Sequence, residues 1–244
     1  MDRPVIFNWS GGKDSALSLY HLRRQGQVDI RYLVTTVSDE FDRIAMHGVR
    51  VALLEEQAAS LGIALHMIRM PPMPTMEVYD GLMAAVCRRF KSEGIDHAVF
   101  GDIFLEDLKK YREQRLAEVG MQGIFPIWKR SSVDLVREFI DLGFKAVLVC
   151  VDERHLDRSF AGRMIDAQLL KDLPSGVDPC GENGEYHSFV FDGPIFRQPI
   201  CFKPGECLRR TYAQPKTDTS CCTKDPLPQT GFWYQDLVPC ASYL

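Results

Sequence analysis

The chain has 244 residues, 45% of them hydrophobic and 25% charged, enough for one large domain or a domain with a smaller annex. A formal net charge of -4 and a pI near 5.9 leave no broad basic surface, which argues against non-specific nucleic-acid binding. No run of about 18 uncharged apolar residues occurs, and the start "MDRPVIFNW" has neither the length nor the cleavage site of a signal peptide, so no membrane insertion and a cytoplasmic address are expected.

"VIFNW" reads as a buried strand, followed by a helix from Asp14 to about Arg24 whose Ala16, Leu19 and Leu22 share a face, with Gly26 beyond its end. "IRYLVTTVS" reads as a second strand. A helix from about Val49 to Leu61, closed by Gly62, leads into a third strand, "IALHMIRM". The prolines of "MPPMPT" enforce a loop before a helix over Glu77 to Glu93 that ends at Gly94. "HAVFGDI" is a strand running into a Gly-Asp turn, and a charged helix spans Leu105 to Val119. "GIFPIW" is a short strand, with Pro126 marking an edge or an end. A helix capped by Ser131 or Ser132 precedes the strand "KAVLVCV", and a further helix covers Arg163 to Leu173.

Alternation of this kind predicts parallel strands joined by right-handed helical crossovers, hence an α/β fold with a doubly wound, mostly parallel sheet. After Pro174 the texture changes. "GVDPCGENGEYHSFVFDGPIF" is rich in turn formers and then alternates in strand fashion. From Gln198 to Gln229 there is little periodicity, "AQPKTDTSCCTKDPLPQT" reads as mobile, and "GFWYQDLVP" returns as a terminal strand. No internal repeat is present.

The eight cysteines, Cys87, Cys150, Cys180, Cys201, Cys207, Cys221, Cys222 and Cys240, contain no C-x-x-C pair. Without that spacing neither a zinc ribbon nor a thioredoxin-type site is expected, and most should be free thiols. The late group Cys201, Cys207, Cys221 and Cys222 leaves an opening for metal or disulfide chemistry.

In an open parallel sheet, ligands sit at the carboxyl ends of strands where the order reverses. The loop after the first strand is such a place. Ser10, Gly11 and Gly12 can turn amides toward phosphate oxygens, Lys13 adds a point charge, and Ser15 offers both an amide and a hydroxyl. The loop is not a Walker A motif, because Phe7 stands where its first glycine would be and Asp14 follows the lysine. Nor is it G-x-G-x-x-G, because Gly11 and Gly12 are adjacent.

Ser-Gly-Gly-Lys-Asp-Ser, Ser10 to Ser15, resembles the PP-loop of the N-type ATP pyrophosphatases, whose S-G-G-x-D-S signature binds the pyrophosphate part of ATP. The resemblance implies cleavage between the α and β phosphates and adenylation of a substrate. Asp14 is then the Mg²⁺ ligand, or else a first-turn acid favoured by the helix dipole.

Further segments resemble the diphthine-ammonia ligase family within that superfamily. "MHGV", Met46 to Val49, is similar to its Met/Phe-His-Gly, which puts His47 and Gly48 near the adenosine; a lone histidine there also reads as a cap or surface residue. "FGDIFLEDLKKYREQRLAEVGMQGIFPIW" resembles the family's central block, with Gly101 and Asp102 facing ATP or Mg²⁺. On its helix Asp107, Tyr111 and Arg115 share a face and Glu106 pairs with Lys110; solvated ion pairs explain Tyr111 and Arg112 as readily as a functional role. "GVDPCGENGEYHSFV" resembles the family's G-V-D-P-x-G-E-x-G-E-[FY]-H-[ST]-x-V motif at its substrate site, where Glu182, Glu185 and His187 would meet the acceptor and handle a proton. A plain glycine-rich hairpin is the alternative.

The resemblance covers roughly residues 4 to 196. It implies a PP-loop (HUP-like, Rossmann-like) ATP-binding domain over residues 1–130 and a smaller, mixed α/β substrate-binding domain over 131–244. The cofactors implied are ATP and Mg²⁺. The catalytic residues are Lys13, Asp14, Glu182, Glu185 and His187. The nucleotide contacts are Ser10, Gly11, Gly12, Lys13, Asp14, Ser15, His47, Gly48, Gly101 and Asp102, with Asp14 on the metal. The partners are an acid acceptor, diphthine on elongation factor 2 in that family, and ammonia; a homodimer stays open. Alternatives are a ligase for another small acid and a nucleotide binder without ligation. A tRNA-modifying enzyme is a minor alternative, because no paired thiolating cysteines are seen.

Overall fold

The computed structural model describes residues 2–45, 47–213 and 229–240. The first sheet takes β1 (Arg3–Asn8), β2 (Val28–Ser38), the two-residue β3 (Arg43–Ile44), β4 (Ala64–Met70), β5 (His97–Val99) and β6 (Gln122–Ile124). Its parallel strands lie in the order β4-β2-β1-β5-β6, and β3 adds antiparallel to the end of β2. The chain travels outward from β1 to β4 and then returns to β5 on the other side. The direction of winding therefore reverses beside β1, which opens a crevice at its carboxyl end.

Successive residues of a strand face opposite sides of a sheet, and β1 shows the consequence. Val5 and Phe7 pack with α1 (Lys13–Gln25) and α2 (Val51–Leu61), whereas Ile6 packs with α3 (Met76–Ser92) and α4 (Glu106–Ala117). The helices thus divide between two faces, as the alternating pattern predicts. Phe7, Trp9 and Phe90 are fully enclosed, each burial stabilising by about 2–3 kcal/mol.

β7 (Lys145–Asp152) is the point of departure from the alternating pattern. It joins β8 (Tyr186–Asp192), β9 (Phe202–Ala213) and β10 (Gln229–Pro239) in an antiparallel sheet of order β8-β7-β10-β9. An apolar run such as "KAVLVCV" announces burial on both faces, not which neighbour will pair with it. In chain order α5 (Ser132–Asp141) comes between the two sheets, capped by Ser131, whose hydroxyl accepts from Asp134 N. One apolar cluster, holding Leu19 and Leu54 as well as Leu148 and Phe189, joins the second sheet to the α1–α2 face of the first.

Two local expectations are corrected. The helix expected over Arg163 to Leu173 is confined to α6 (Ala167–Asp172), because Asp166 caps it by accepting from Gln168 N and Leu169 N, and Met164 bridges to Val147. The aperiodic stretch after Gln198 begins with the long strand β9, whose hydrogen bonds come from β10 in a register that no local pattern records. That pairing also brings Cys201 and Cys240, with Cα atoms 5.5 Å apart, into a disulfide, while Cys87, Cys150, Cys180 and Cys207 are free. Residues 214–228, with Cys221 and Cys222, and Met46 of "MHGV" lie outside the described residues. Among the described residues no helix is long and apolar enough to cross a membrane.

Candidate functional site

α1 begins at the reversal point, directly after Ser10, Gly11 and Gly12. Its N-cap is Gly12, which supplies no side-chain hydrogen bond, so the first-turn amides are not capped in the usual way. Serine hydroxyls stand around these donors instead. Gly12 N donates to Ser10 Oγ at 3.2 Å, Ser10 N to Ser15 Oγ at 3.3 Å, and Lys13 N to Ser188 Oγ at 3.2 Å. Hydroxyl oxygens hold these amides, and a helix start without a side-chain cap is where an anion gains most.

Ser188 belongs to β8, so the second sheet closes over the loop. Val190 N donates to Gly11 O at 2.9 Å, and Gln57 Nε2 on α2 donates to Gly11 O at 3.1 Å and to Val190 O at 2.6 Å. The Trp9 indole in turn donates to Gln57 Oε1 at 2.9 Å. Between loop and lid lies a polar cavity of about 120 Å³, lined by Ser10, Gly12, Lys13, Asp14 and His47 on one side and Cys180, Gly181, Glu182, Gly184, Tyr186, His187 and Ser188 on the other.

Lys13 is buried within it, its ammonium 2.8 Å from the Asp14 carboxylate, hydrogen-bonded to Cys180 O and 5.3 Å from the centre of the Tyr186 ring. Burial works against its charge, but the Asp14 carboxylate, joined by Tyr186 and Cys180, outweighs this and raises its pKa above the usual lysine value. Burial pushes the Asp14 carboxyl up as well, with the Lys13 ammonium pulling it part of the way back. His47 and His187 stack with ring centres 4.5 Å apart and planes 30° apart. Burial, reinforced by Lys13, lowers His187 to about 4, and burial together with His187 lowers His47 well below its ordinary value. Both rings are therefore neutral near pH 7, and His47 Nδ1 is buried without a hydrogen-bond partner among the described residues.

Glu182 accepts from Ile103 N at 2.7 Å, which ties the 176–185 turn to the segment after β5. Burial, opposed by that hydrogen bond and aided by Asp14, raises its carboxyl to about 7. A half-ionised acid thus faces Lys13 near neutrality. Glu185 lies elsewhere. It is 1% exposed and accepts from Asp178 N, Asn183 N and Asn183 Nδ2, each at 3.0 Å, so it holds the turn together from inside. Burial alone would raise it, but these donors carry it below the usual range.

The remaining expected residues border the cavity without lining it. Gly101 packs on the Ser10–Ser15 loop so closely that an added Cβ would stand 3.1 Å from Asp14 C and Ser15 N. Asp102 turns toward Arg112, with Nε 2.7 Å from Oδ2, and the Arg112 guanidinium lies 4.5 Å from the centre of Phe100. Tyr111 donates to Asp80, and Glu106 meets Lys129 at 2.8 Å rather than Lys110. Gly48 has φ +70°, and Tyr234 of β10 covers it so tightly that a Cβ would come within 2.8 Å of the ring. It serves the packing of the two sheets.

Ser188, Gln57 and Tyr186 were not singled out by sequence. Gln57 carried a readable signal, being a lone amide on the apolar face of α2. Ser188 and Tyr186 carried only their strand alternation. For a divalent cation, no group of three or more His, Cys, Asp or Glu side chains among the described residues forms a cage. Asp14, opening on the loop, fits the mode in which Mg²⁺ takes one carboxylate and completes its shell with phosphate oxygens and water.

Two family models match the chain: the diphthamide synthase N-terminal domain over residues 3–123 and the diphthamide synthase C-terminal domain over residues 131–213. A zebrafish (Danio rerio) protein named diphthine--ammonia ligase is 27% identical over 222 residues, covering 82% of this chain and 86% of the relative. The human protein of the same name is 27% identical over 224 residues, covering 82% of each. Among solved structures, the U34-tRNA thiolase NcsA from Methanococcus maripaludis with its 4Fe-4S cluster aligns over 58% of each chain at 15% identity with a TM-score of 0.38, too slight a likeness to carry an argument.

Proposed function

The chain belongs to the diphthamide synthase family, and from that premise we propose that it is an ATP-dependent ligase that converts a carboxylate into an amide with ammonia, releasing AMP and pyrophosphate. The observation that carries the reading is the closure of Ser10–Ser15 by Ser188, which sets helix-start amides opposite Glu182 and His187 in one cavity.

The reaction balances in two steps. An acceptor carboxylate oxygen attacks the α phosphorus of ATP, and the bond to the bridging oxygen breaks to release pyrophosphate. Ammonia then attacks the acyl carbon, the amide C–N bond forms, and AMP leaves. Negative charge grows on the departing pyrophosphate, where the amides of Gly12 and Lys13 and the Lys13 ammonium would receive it. Mg²⁺ held by Asp14 and the phosphates would supply further charge neutralisation there. Lys13 would exchange Cys180 O for a phosphate oxygen. Glu182, poised near 7, would take the proton that ammonium gives up, and the neutral pair of His47 and His187 would accept hydrogen bonds from the incoming nitrogen. Glu185 would keep the turn that carries Glu182 in shape.

The name of the relatives supplies diphthine as the proposed acceptor. Its place on elongation factor 2 is what the family resemblance implies, and a cytoplasmic site for the reaction is part of the same proposal. The test is a product analysis with ATP, ammonium and either a diphthine-bearing elongation factor or small carboxylic acids. AMP and pyrophosphate in equal amounts, only with an acceptor present, are expected. ADP and orthophosphate would overturn the reading. Nucleotide binding with no acceptor-dependent turnover would leave a binder without ligase activity.

A further inference from the structure

Gln57 is fully enclosed on α2, and both polar atoms of its side chain are engaged. Its Oε1 accepts from the Trp9 indole at 2.9 Å, and its Nε2 directs its two hydrogens at Gly11 O, 3.1 Å away, and Val190 O, 2.6 Å away. An amide held on both edges keeps one orientation, because turning it over would set its oxygen against two buried carbonyls.

One of those carbonyls belongs to the peptide that joins Gly11 to Gly12. A trans peptide points its C=O and its N–H in opposite directions. Gly11 O is drawn off by Gln57 Nε2 and by Val190 N at 2.9 Å, so Gly12 N turns toward Ser10 Oγ on the cavity wall. Glycine on both sides of this peptide allows the reverse orientation at little steric cost, and Gly11 already sits at φ +77°. The reversed peptide would present a carbonyl oxygen to the cavity, where it repels the anion that an N–H attracts.

Two successive glycines therefore need an anchor from outside the loop, and Gln57 supplies it without lining the cavity itself. The approach is close: a Cβ at position 11 would stand 2.9 Å from Gln57 Oε1. The second donor holds β8 to the same amide. Val190 lies two positions after Ser188, whose hydroxyl accepts from Lys13 N at 3.2 Å. One side chain thus sets the direction of a loop amide and the distance between loop and lid.

We infer that Gln57 is a positioning residue for the anion site: it orients the Gly11–Gly12 peptide so that the N–H faces the phosphate tail, and it keeps β8 in place over the loop. The inference rests on the reading of Ser10–Ser15 as the triphosphate site. It is tested on the full chain with inorganic tripolyphosphate and Gln57→Met, whose unbranched side chain fills the same space without a donor. The calorimetric Kd for tripolyphosphate should rise at least about tenfold. In the free variant the Gly12 amide signal in nitrogen–proton correlation spectra should shift or broaden as the peptide samples both orientations, while Gly94 and Gly143, beyond the ends of α3 and α5, keep theirs. In the wild type, where folding is not in question, tripolyphosphate should move the Gly12 signal far more than the side-chain amide signals of Gln57, because the anchor is set before the anion arrives.

An unchanged Kd in folded Gln57→Met overturns the inference. So does a raised Kd with Gly12 unmoved, or with the three glycine signals displaced together, either of which assigns Gln57 to packing alone. Wild-type Gln57 signals that move as far as Gly12 overturn it too, since the bridge would then break on binding. A wild type that binds no tripolyphosphate refutes the triphosphate reading itself, a result told apart because it precedes any substitution.

Discussion

Asp236 on β10 meets Arg50, at the start of α2, with 2.6 Å between Oδ2 and Nη2, and its other oxygen lies 2.8 Å from Arg43 Nη1. Arg43 also donates to Gly48 O at 2.6 Å. One carboxylate near the C-terminus therefore fastens the segment that carries His47, from a strand outside the residues that the two family models match.

Burial would raise the Asp236 carboxyl, but the two guanidinium groups outweigh it and hold it at about 2. Because that value lies below the unfolded one, the stabilisation is fully present above about pH 4 and is lost as pH falls through about 2. Asp236→Asn should cost about 2 kcal/mol at pH 7, and urea unfolding should show that its deficit against the wild type shrinks between pH 4 and pH 2.

Glu182 carries the opposite dependence. Its folded value of about 7 exceeds the ordinary 4.5, so the stability it permits is complete below about 4.5 and declines as pH rises through 7. Glu182→Gln keeps an acceptor for Ile103 N and removes the buried charge. Unfolding at pH 8 should find it more stable than the wild type by about 2 kcal/mol, with no gain at pH 4. Its acceptor-dependent turnover should fall about 100-fold or more, and the pH-rate limb near 7 should disappear.

Lys13→Ala removes the one ammonium among the lining residues of the cavity, and Asp14→Ala removes the carboxylate that opens on it. Each should lower pyrophosphate release by about 100-fold or more, with circular dichroism unchanged. Wild-type turnover in both variants would contradict the role assigned to the loop.

Gly101→Ala probes the contact between β5 and the loop. The backbone angle accepts alanine, but the new methyl would press on Asp14 C and Ser15 N, both main-chain atoms, at 3.1 Å. The loop must shift by a few tenths of an ångström to relieve this. The expected result is about a tenfold rise in the KM for ATP, measured by pyrophosphate release, with a melting temperature within a few degrees of the wild type.

Gly48→Ala meets Tyr234 at 2.8 Å and is strained by φ +70° besides. It should cost about 1–3 kcal/mol and loosen the stacking of His47 on His187. Thermal unfolding together with histidine proton chemical shifts would register both effects.

Local chemistry was enough to place Ser10–Ser15 at a strand-to-helix junction and to read it as a candidate phosphate site, because two glycines between an apolar run and a helical period are visible within a few residues. The parallel sheet was legible for the same reason, because apolar runs and helical periods are written along the chain within a few residues of each other. Gly12, Lys13, Asp14 and His47 do meet Glu182 and His187 around one cavity, whereas Glu185 and Gly48 turn out to support it from behind. Only the tertiary structure could decide that β7 leaves the parallel pattern, that β9 exists, and that Ser188, Gln57 and Asp236 complete the site. Each depends on a partner dozens to nearly two hundred positions away, and a side chain's partner is set by how sheets pack and in what register they pair, which periodicity within one segment does not encode.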